Sequence, residues 1–168
     1  MDRVRPSTGR LRFPPVDWYL PLKLVHVVAA ITAVGANLTY FVWLSSMRAK
    51  PDGEQAFALQ TIQRLDMRLA NPAYAILPIT GIVMVLIADG LGFTTFWVAF
   101  AIGLYIVVGI MAGAFFGPSL RRQAELAAAG ETGSPTYDAA AKRTRSTGIL
   151  TMLPIAGILY LMVLKPTP

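Results

Sequence analysis

His26, the only histidine in this sequence, is the side chain with the widest choice of chemistry. Ala30, Ala33 and Asn37 follow it at helical spacing on the same face, and such a small, partly polar stripe is typical of contact with other helices or with a cofactor. Because an ionisable side chain in a membrane-type apolar run is a functional hypothesis by default, His26 is a candidate axial ligand of haem b or a proton-handling group. The alternative is a histidine near the interface, bonded to a neighbour or to water.

A single histidine also limits the chemistry. It cannot form a bis-histidine haem site or a multi-histidine metal site within one chain, so a second haem ligand would have to be Met, Lys, water or another subunit. The sequence has no Cys, which excludes thiolate metal sites, disulfides and cysteine catalysis. We therefore predict no metal site, and the cofactor, if any, stays open.

Three glycines at every fourth position form a second pattern: Gly109, Gly113 and Gly117. This spacing lets membrane helices approach closely, and it predicts a helix-packing surface together with the small residues that follow His26. Two interpretations are equally open. The ridge docks a partner protein, or it packs inside the protein's own bundle.

Catalytic motifs are missing from the chain. It contains no P-loop, no GxSxG, no HExxH and no glycine-rich dinucleotide fingerprint. The interiors of the apolar runs carry no carboxylate for a proton or cation relay. We predict no catalytic residues, which argues against an enzyme.

The elements that must position these residues follow from composition. Of the 168 residues, 55% are hydrophobic and only 14% are charged, well off the pattern of soluble domains. Four long runs with almost no charge predict membrane spans at about 18–44, 70–89, 92–120 and 146–165. The predicted fold class is all-α, an integral membrane four-helix bundle with short interfacial helices in the cytoplasmic loops. It forms one domain, 18–168, after a basic tail, 1–17.

The net charge of +6 is mainly an orientation signal, and we predict no nucleic-acid partner. Nine of the fifteen basic residues fall in the loops after spans one and three, and six fall on the other side, four of them in the N-terminal tail. The positive-inside rule places loops 45–69 and 121–145 in the cytoplasm and both termini outside. The expected location is the bacterial cytoplasmic (inner) membrane, crossed several times.

The loops have predicted structure of their own. Apolar residues at helical spacing predict an interfacial helix over Glu54 to Leu69, followed by an N-cap and first-turn proline at Asn71-Pro72. Tyr137 to Arg145 is predicted as a short basic helix. Gly90-Leu91-Gly92 predicts a tight hairpin between spans two and three.

Several short motifs occur in an order that resembles a known group. They are Leu22 to Val28 around His26, then Arg64-Leu65, Asn71-Pro72 and Thr80-Gly81, and finally Met162 to Pro166. This set resembles small bacterial four-span proteins, among them the HemJ-type protoporphyrinogen oxidases, the CopD-like copper-resistance domains and an uncharacterised branch of predicted integral membrane proteins. Resemblance to the oxidases implies haem b on His26 and oxidation of protoporphyrinogen IX. Those enzymes also use a lysine in the third span, where this chain has none.

Two functions follow from these observations. The preferred one is a structural or accessory subunit that packs against a larger membrane complex, respiratory or photosynthetic. The alternative is a haem b-binding membrane redox protein with His26 as axial ligand. A transport role is a weaker third hypothesis. The predicted partners are the lipid bilayer and either other membrane subunits or a second copy of the chain.

Overall fold

The computed structural model describes residues 18–167, so the predicted basic tail lies outside the described residues. Within the described part the chain forms four long helices and no strand. They are α1 (Tyr19–Ser46), α2 (Asp52–Ile87), α3 (Phe96–Ala128) and α4 (Pro135–Leu164). The prediction of an all-α membrane bundle is confirmed.

All four helices are long and apolar enough to cross a membrane. Even α1, the shortest at 28 residues, measures about 42 Å, against roughly 30 Å for the hydrocarbon core. Many large apolar side chains on their outer faces are exposed, Leu24, Ile79, Leu86 and Leu153 among them. Such exposure suits a protein surrounded by lipid, where apolar side chains need no burial within the protein.

Two helices contain a short π-helical segment. In α2 the segment Asp66–Ala70 joins Asp52–Leu65 to Asn71–Ile87, and in α3 the segment Met111–Phe116 joins Phe96–Ile110 to Gly117–Ala128. Each segment ends two residues before a proline, Pro72 or Pro118. A proline lacks the N–H of a regular turn and clashes with the carbonyl four residues earlier, and a local π adjustment accommodates both effects.

The helix predicted over Glu54 to Leu69 is therefore present, but it is continuous with the second span. Asn71 does not begin a new helix, as the Asn71-Pro72 pattern had indicated; its backbone is helical at φ −62 and ψ −44. The predicted helix over Tyr137 to Arg145 is likewise the start of α4, where the Ser134 hydroxyl accepts a hydrogen bond from the Tyr137 N–H at 3.1 Å.

Packing divides the bundle into two helix pairs. The first helix pair is α1 with Asn71–Ile87, and the second helix pair is Phe96–Ile110 with α4. At one end, Asp52–Leu65 of α2 packs on Gly117–Ala128 of α3, which also packs on the start of α4. We call this region the helical extension. The main buried cluster lies largely here, with Leu59 and Ile62 fully enclosed.

The tight hairpin predicted between spans two and three is wrong. Gly90 takes a positive φ of 78° in the connection, as a turn there requires. Across the described residues, however, Asn71–Ile87 and Phe96–Ile110 share no close backbone contact. The two helix pairs are joined mainly through the helical extension, and we call the space between the pairs the cleft.

Candidate functional site

The cleft holds a cavity of about 350 Å³. All four helices line it. Its polar lining consists of Asn37, Tyr40, Asp66, Asn71, Tyr74, Tyr105 and Thr151, and its apolar lining includes Phe41, Phe116 and the glycines Gly109, Gly113, Gly117 and Gly148. The site thus combines a polar, aromatic wall with a wall that has almost no side chains.

Both π-helical segments contribute to this cavity. Asp66 is the first residue of one segment, and Ala112, Gly113 and Phe116 belong to the other. A π turn adds a residue to the helical circuit and changes which side chains face inward, and such turns are frequent at functional sites. The two prolines that follow the segments therefore help to set the shape of the cleft.

A hydrogen-bonded group fixes one side of the cavity. The Asn37 Nδ2 donates to the Ala33 carbonyl at 2.9 Å and to the Tyr74 hydroxyl. The Tyr105 hydroxyl donates to the main-chain carbonyl oxygen of Tyr74. Because Tyr74 belongs to the first helix pair and Tyr105 to the second, this bond crosses the cleft.

Two polar groups of the cavity, the Tyr40 hydroxyl and the Asp66 carboxylate, are less fully hydrogen-bonded. Tyr40 is only 2% exposed, and its hydroxyl makes no hydrogen bond of good geometry, although the Asp66 carboxylate lies near enough to interact with it. Asp66 accepts one long hydrogen bond, 3.4 Å, from the Asn71 Nδ2. Among the described residues no base forms an ion pair with Asp66. Buried polar groups are normally satisfied, so this corner of the cavity has unused bonding capacity.

His26 lies elsewhere, between α1 and α2. Its Nδ1 is 2.7 Å from the Thr80 hydroxyl, which itself donates to the Ile76 carbonyl at 2.8 Å. In the tautomer with its proton on Nδ1, His26 donates to Thr80 and its Nε2 keeps a lone pair; in the other tautomer, Nδ1 accepts from the Thr80 hydroxyl. The ring also packs against Gly81, where an added Cβ would lie 3.4 Å from its Cε1.

The resemblance implies a haem on His26, and the surroundings of the ring bear on it in two ways. The free Nε2 suits an axial ligand, since ligating histidines usually donate their other N–H. However, neither of the two cavities described here borders His26. The described residues also contain no cluster of three His, Asp or Glu side chains able to hold a metal ion. A haem on His26 would therefore lie outside these two cavities.

The structure brings some of the sequence-predicted residues together and separates others. Ala33 is fully buried where α1 packs against α2, and Ala30 is half-buried. Asn37 faces the cleft, as do the three glycines of the ridge. Gly109 and Gly113 are exposed, and a Cβ added at either would meet nothing within 4 Å, so the ridge faces open space.

The sequence prediction missed Tyr40, Asp66, Tyr74 and Tyr105 as site residues. The three tyrosines are uncharged and do not interrupt an apolar run, and Asp66 falls in the interfacial helix predicted over Glu54 to Leu69. One signal was available, since Asp66 lies four residues from Ala70, where the second uncharged run begins. An acid so close to a span is a functional candidate.

A second cavity of about 720 Å³ lies beside the helical extension. It shares Phe41 and Leu44 with the first cavity, and its charged lining is mainly basic: Arg48, Lys142 and Arg145, with one acid, Asp138. Basic pockets between membrane helices are typical contacts of anionic headgroups. This cavity marks the helical extension as the more positive end of the described bundle.

Comparison with known proteins gives one match. A family described as "Predicted integral membrane protein (DUF2269)" matches residues 20–166. Neither the curated proteins nor the solved structures contain a match. The predicted likeness to an uncharacterised branch of integral membrane proteins is confirmed, whereas the likeness to HemJ-type oxidases and CopD-like domains finds no support in this comparison.

Proposed function

Since the chain belongs to the DUF2269 family of predicted integral membrane proteins, we propose that it binds a small amphiphilic molecule in the cleft between its two helix pairs. The cavity carries this proposal, because its 350 Å³ lies within the range of small-molecule sites, roughly 300–1,000 Å³, and it combines apolar walls with a few polar groups. Two of those groups, Tyr40 and Asp66, have bonding capacity that a ligand would use.

The glycine ridge supports access from the bilayer. Gly109 and Gly113 are exposed and line the cavity, and no side chain fills the space in front of them. A molecule dissolved in lipid could enter sideways past these glycines without moving a helix. The polar wall would then hold its head and leave its apolar part in the bilayer.

Filling the cleft tests this proposal. Gly113→Leu should place a side chain in the cavity, while Gly103→Leu adds the same side chain to the same helix at an exposed position outside the cavity. Native mass spectrometry of gently solubilised protein should show a bound small molecule on the wild type and on Gly103→Leu, but not on Gly113→Leu. A wild type without any adduct, or equal adducts on both variants, would overturn the proposal.

A second candidate is the role of accessory subunit in a larger membrane complex, respiratory or photosynthetic. The exposed glycine ridge favours it, because a transmembrane helix from a partner or from a second copy could pack closely there. Native gels of mildly solubilised membranes should then show a large assembly that Gly109→Leu disrupts and Gly103→Leu preserves. A protein that always migrates alone contradicts this role.

Binding of haem b by His26 is the other alternative from the sequence. The contact between His26 Nδ1 and Thr80 favours it, since the tautomer that donates to Thr80 leaves Nε2 as a lone-pair donor. An absorption spectrum separates it from the other two roles.

We also propose the location and orientation that the charges predict. The four spans, about 18–44, 70–89, 92–120 and 146–165, would form one domain, 18–168, in the bacterial inner membrane. The segments 45–69 and 121–145 would face the cytoplasm and the termini the outside. The nine basic residues of these segments support this orientation.

A further inference from the structure

We infer that the molecule held in the cleft carries a primary ammonium group, for which Asp66 is the counter-ion and Tyr40 a hydrogen-bond acceptor. The inference rests on the proposed binding function and names the chemistry of its ligand. Such a group occurs on a phosphatidylethanolamine headgroup and on a free alkylamine, and the experiment below separates these sources.

The charge of the cavity points to a cation. Asp66 is the only charged residue among the described residues that line it. The nearest bases in sequence, Arg64 and Arg68, are exposed and do not line the cavity, and no ion pair to Asp66 is formed within residues 18–167. A partly buried carboxylate without a base is costly, and a ligand cation would remove that cost.

The hydroxyl of Tyr40 narrows the cation to one with N–H groups. It is buried, it accepts no hydrogen bond, and its polar neighbour is the Asp66 carboxylate of the same cavity. The Asp66 carboxylate acts on the hydroxyls of both Tyr40 and Tyr74, so the three groups are neighbours. A primary ammonium can donate to the carboxylate and to the Tyr40 oxygen at once, whereas a quaternary ammonium has no proton to donate.

The aromatic lining adds to the attraction. Phe41, Tyr105 and Phe116 line the cavity together with the two tyrosines beside Asp66. Aromatic faces attract ammonium groups, and they do so more strongly where water is excluded. Ring attraction alone would accept any ammonium, so discrimination between primary and quaternary groups falls to Tyr40 and Asp66.

The position of the cavity along the helices suits a headgroup. Tyr40 lies near the end of the first predicted span, and Asp66 and Asn71 lie at the start of the second. Gly117 and Gly148 lie near the corresponding end of spans three and four. The cavity is thus at one end of all four spans, where lipid headgroups and the polar ends of amphiphiles reside.

Lipid competition tests the inference. Purified full-length protein in a non-ionic detergent is given equal amounts of phosphatidylethanolamine, phosphatidylcholine and phosphatidylglycerol with identical acyl chains, and bound lipid is counted by native mass spectrometry. A second arm uses n-decylamine with n-decanol as its neutral match. The wild type should retain phosphatidylethanolamine at least about tenfold better than phosphatidylcholine or phosphatidylglycerol, and decylamine at least about tenfold better than decanol.

Single substitutions connect the preference to the residues. Asp66→Asn should lower the preference for a primary ammonium group about tenfold or more, because a charged partner is lost. Tyr40→Phe should lower it about threefold, because a single neutral partner is lost. Asp89→Asn and Tyr160→Phe change the same groups at exposed positions outside the cavity and should leave it unchanged. If Asp66→Asn unfolds by circular dichroism, Tyr40→Phe still tests the site.

The outcomes separate this inference from the proposed function. Binding of phosphatidylethanolamine supports a lipid source, and binding of decylamine alone supports a free amine. Equal retention of all three lipids and of decanol, or an Asp66→Asn protein that behaves like Asp89→Asn, overturns the inference. If Gly113→Leu still displaces the bound molecule in that case, the cleft remains a binding site of other chemistry. If it displaces nothing, the proposed function fails as well.

Discussion

The Tyr105 hydroxyl donates a hydrogen bond to the main-chain carbonyl oxygen of Tyr74, and this bond joins the two helix pairs across the cleft. Tyr74 in turn accepts a hydrogen bond from Asn37 through its own hydroxyl. Three side chains from α1, α2 and α3 are therefore linked on one side of the cavity. The helical extension holds the same helices together beside the cavity, so the bond is a second connection between the pairs.

Removing this bond should loosen the cleft. We expect Tyr105→Phe to cost about 1 kcal/mol, the usual worth of a hydrogen bond between membrane helices, and to let the two pairs separate further. Because the chain has no Cys, spin labels on Ile82→Cys and Ile102→Cys would report the distance between the pairs without background. Tyr160→Phe is the control. An unchanged distance distribution in Tyr105→Phe would show that the helical extension alone sets the cleft.

The sequence predicted the membrane class because composition and charge are properties of each segment by itself. Long uncharged runs must become spans wherever they lie in the bundle. The cleft depends instead on contacts between distant segments, and no local pattern indicates that Tyr105 meets Tyr74. The π turns before Pro72 and Pro118 were not predicted either, because an Asn-Pro pair does not distinguish a π turn within a helix from the start of a new helix.

Of the candidate site, the sequence predicted only Asn37 and the glycine ridge, because the other site residues come together through contacts between distant segments. Asn37 and the glycine ridge follow from helical spacing, which is a local property. That both would face one cavity with Asp66 and Tyr40 follows from the packing of all four helices. His26 is the opposite case. Its ionisable ring suggested a functional site from the sequence, but in the fold it lies beside Thr80.

The bond between His26 and Thr80 should be a stabilising link within the first helix pair. In a double-mutant cycle of His26→Ala and Thr80→Ala, we expect a coupling of about 0.6 kcal/mol, the average for hydrogen bonds between membrane helices, and no more than about 1.7 kcal/mol, the largest value. Reversible unfolding in a mixed detergent series gives the free energies. Thr39→Ala is a suitable control, because its hydroxyl bonds only to the Ala36 carbonyl of its own helix.

The same variants decide the haem alternative. Because neither described cavity borders His26, we expect protein purified from haem-replete cells to show no Soret band. A Soret band in the wild type that disappears in His26→Ala would contradict this expectation and establish His26 as a ligand.

The helical extension should be the most sensitive part of the fold to loss of a single hydroxyl. The buried Tyr137 hydroxyl donates to the Gln55 Oε1 at 2.5 Å and accepts from the Gln123 Nε2 at 3.2 Å. Tyr137→Phe leaves both amides without that partner, which should cost about 1–3 kcal/mol. Thermal or detergent unfolding measures the loss. Tyr160→Phe, at an exposed site, should change stability by less than about 0.5 kcal/mol.

The proposed orientation predicts which connections face the outside. Asp89 and Gly133 are both exposed, in the connections after α2 and after α3 respectively, and the sequence provides a cysteine-free background. With loop 121–145 in the cytoplasm, a membrane-impermeant maleimide should label Asp89→Cys in intact spheroplasts and Gly133→Cys only after the membrane is opened. The four arginines of the tail, Arg3, Arg5, Arg10 and Arg12, oppose this orientation by their charge. Labelling of Gly133→Cys in sealed spheroplasts would mean that the tail, rather than the longer loops, determines the topology, and the helical extension would then lie on the outside of the membrane.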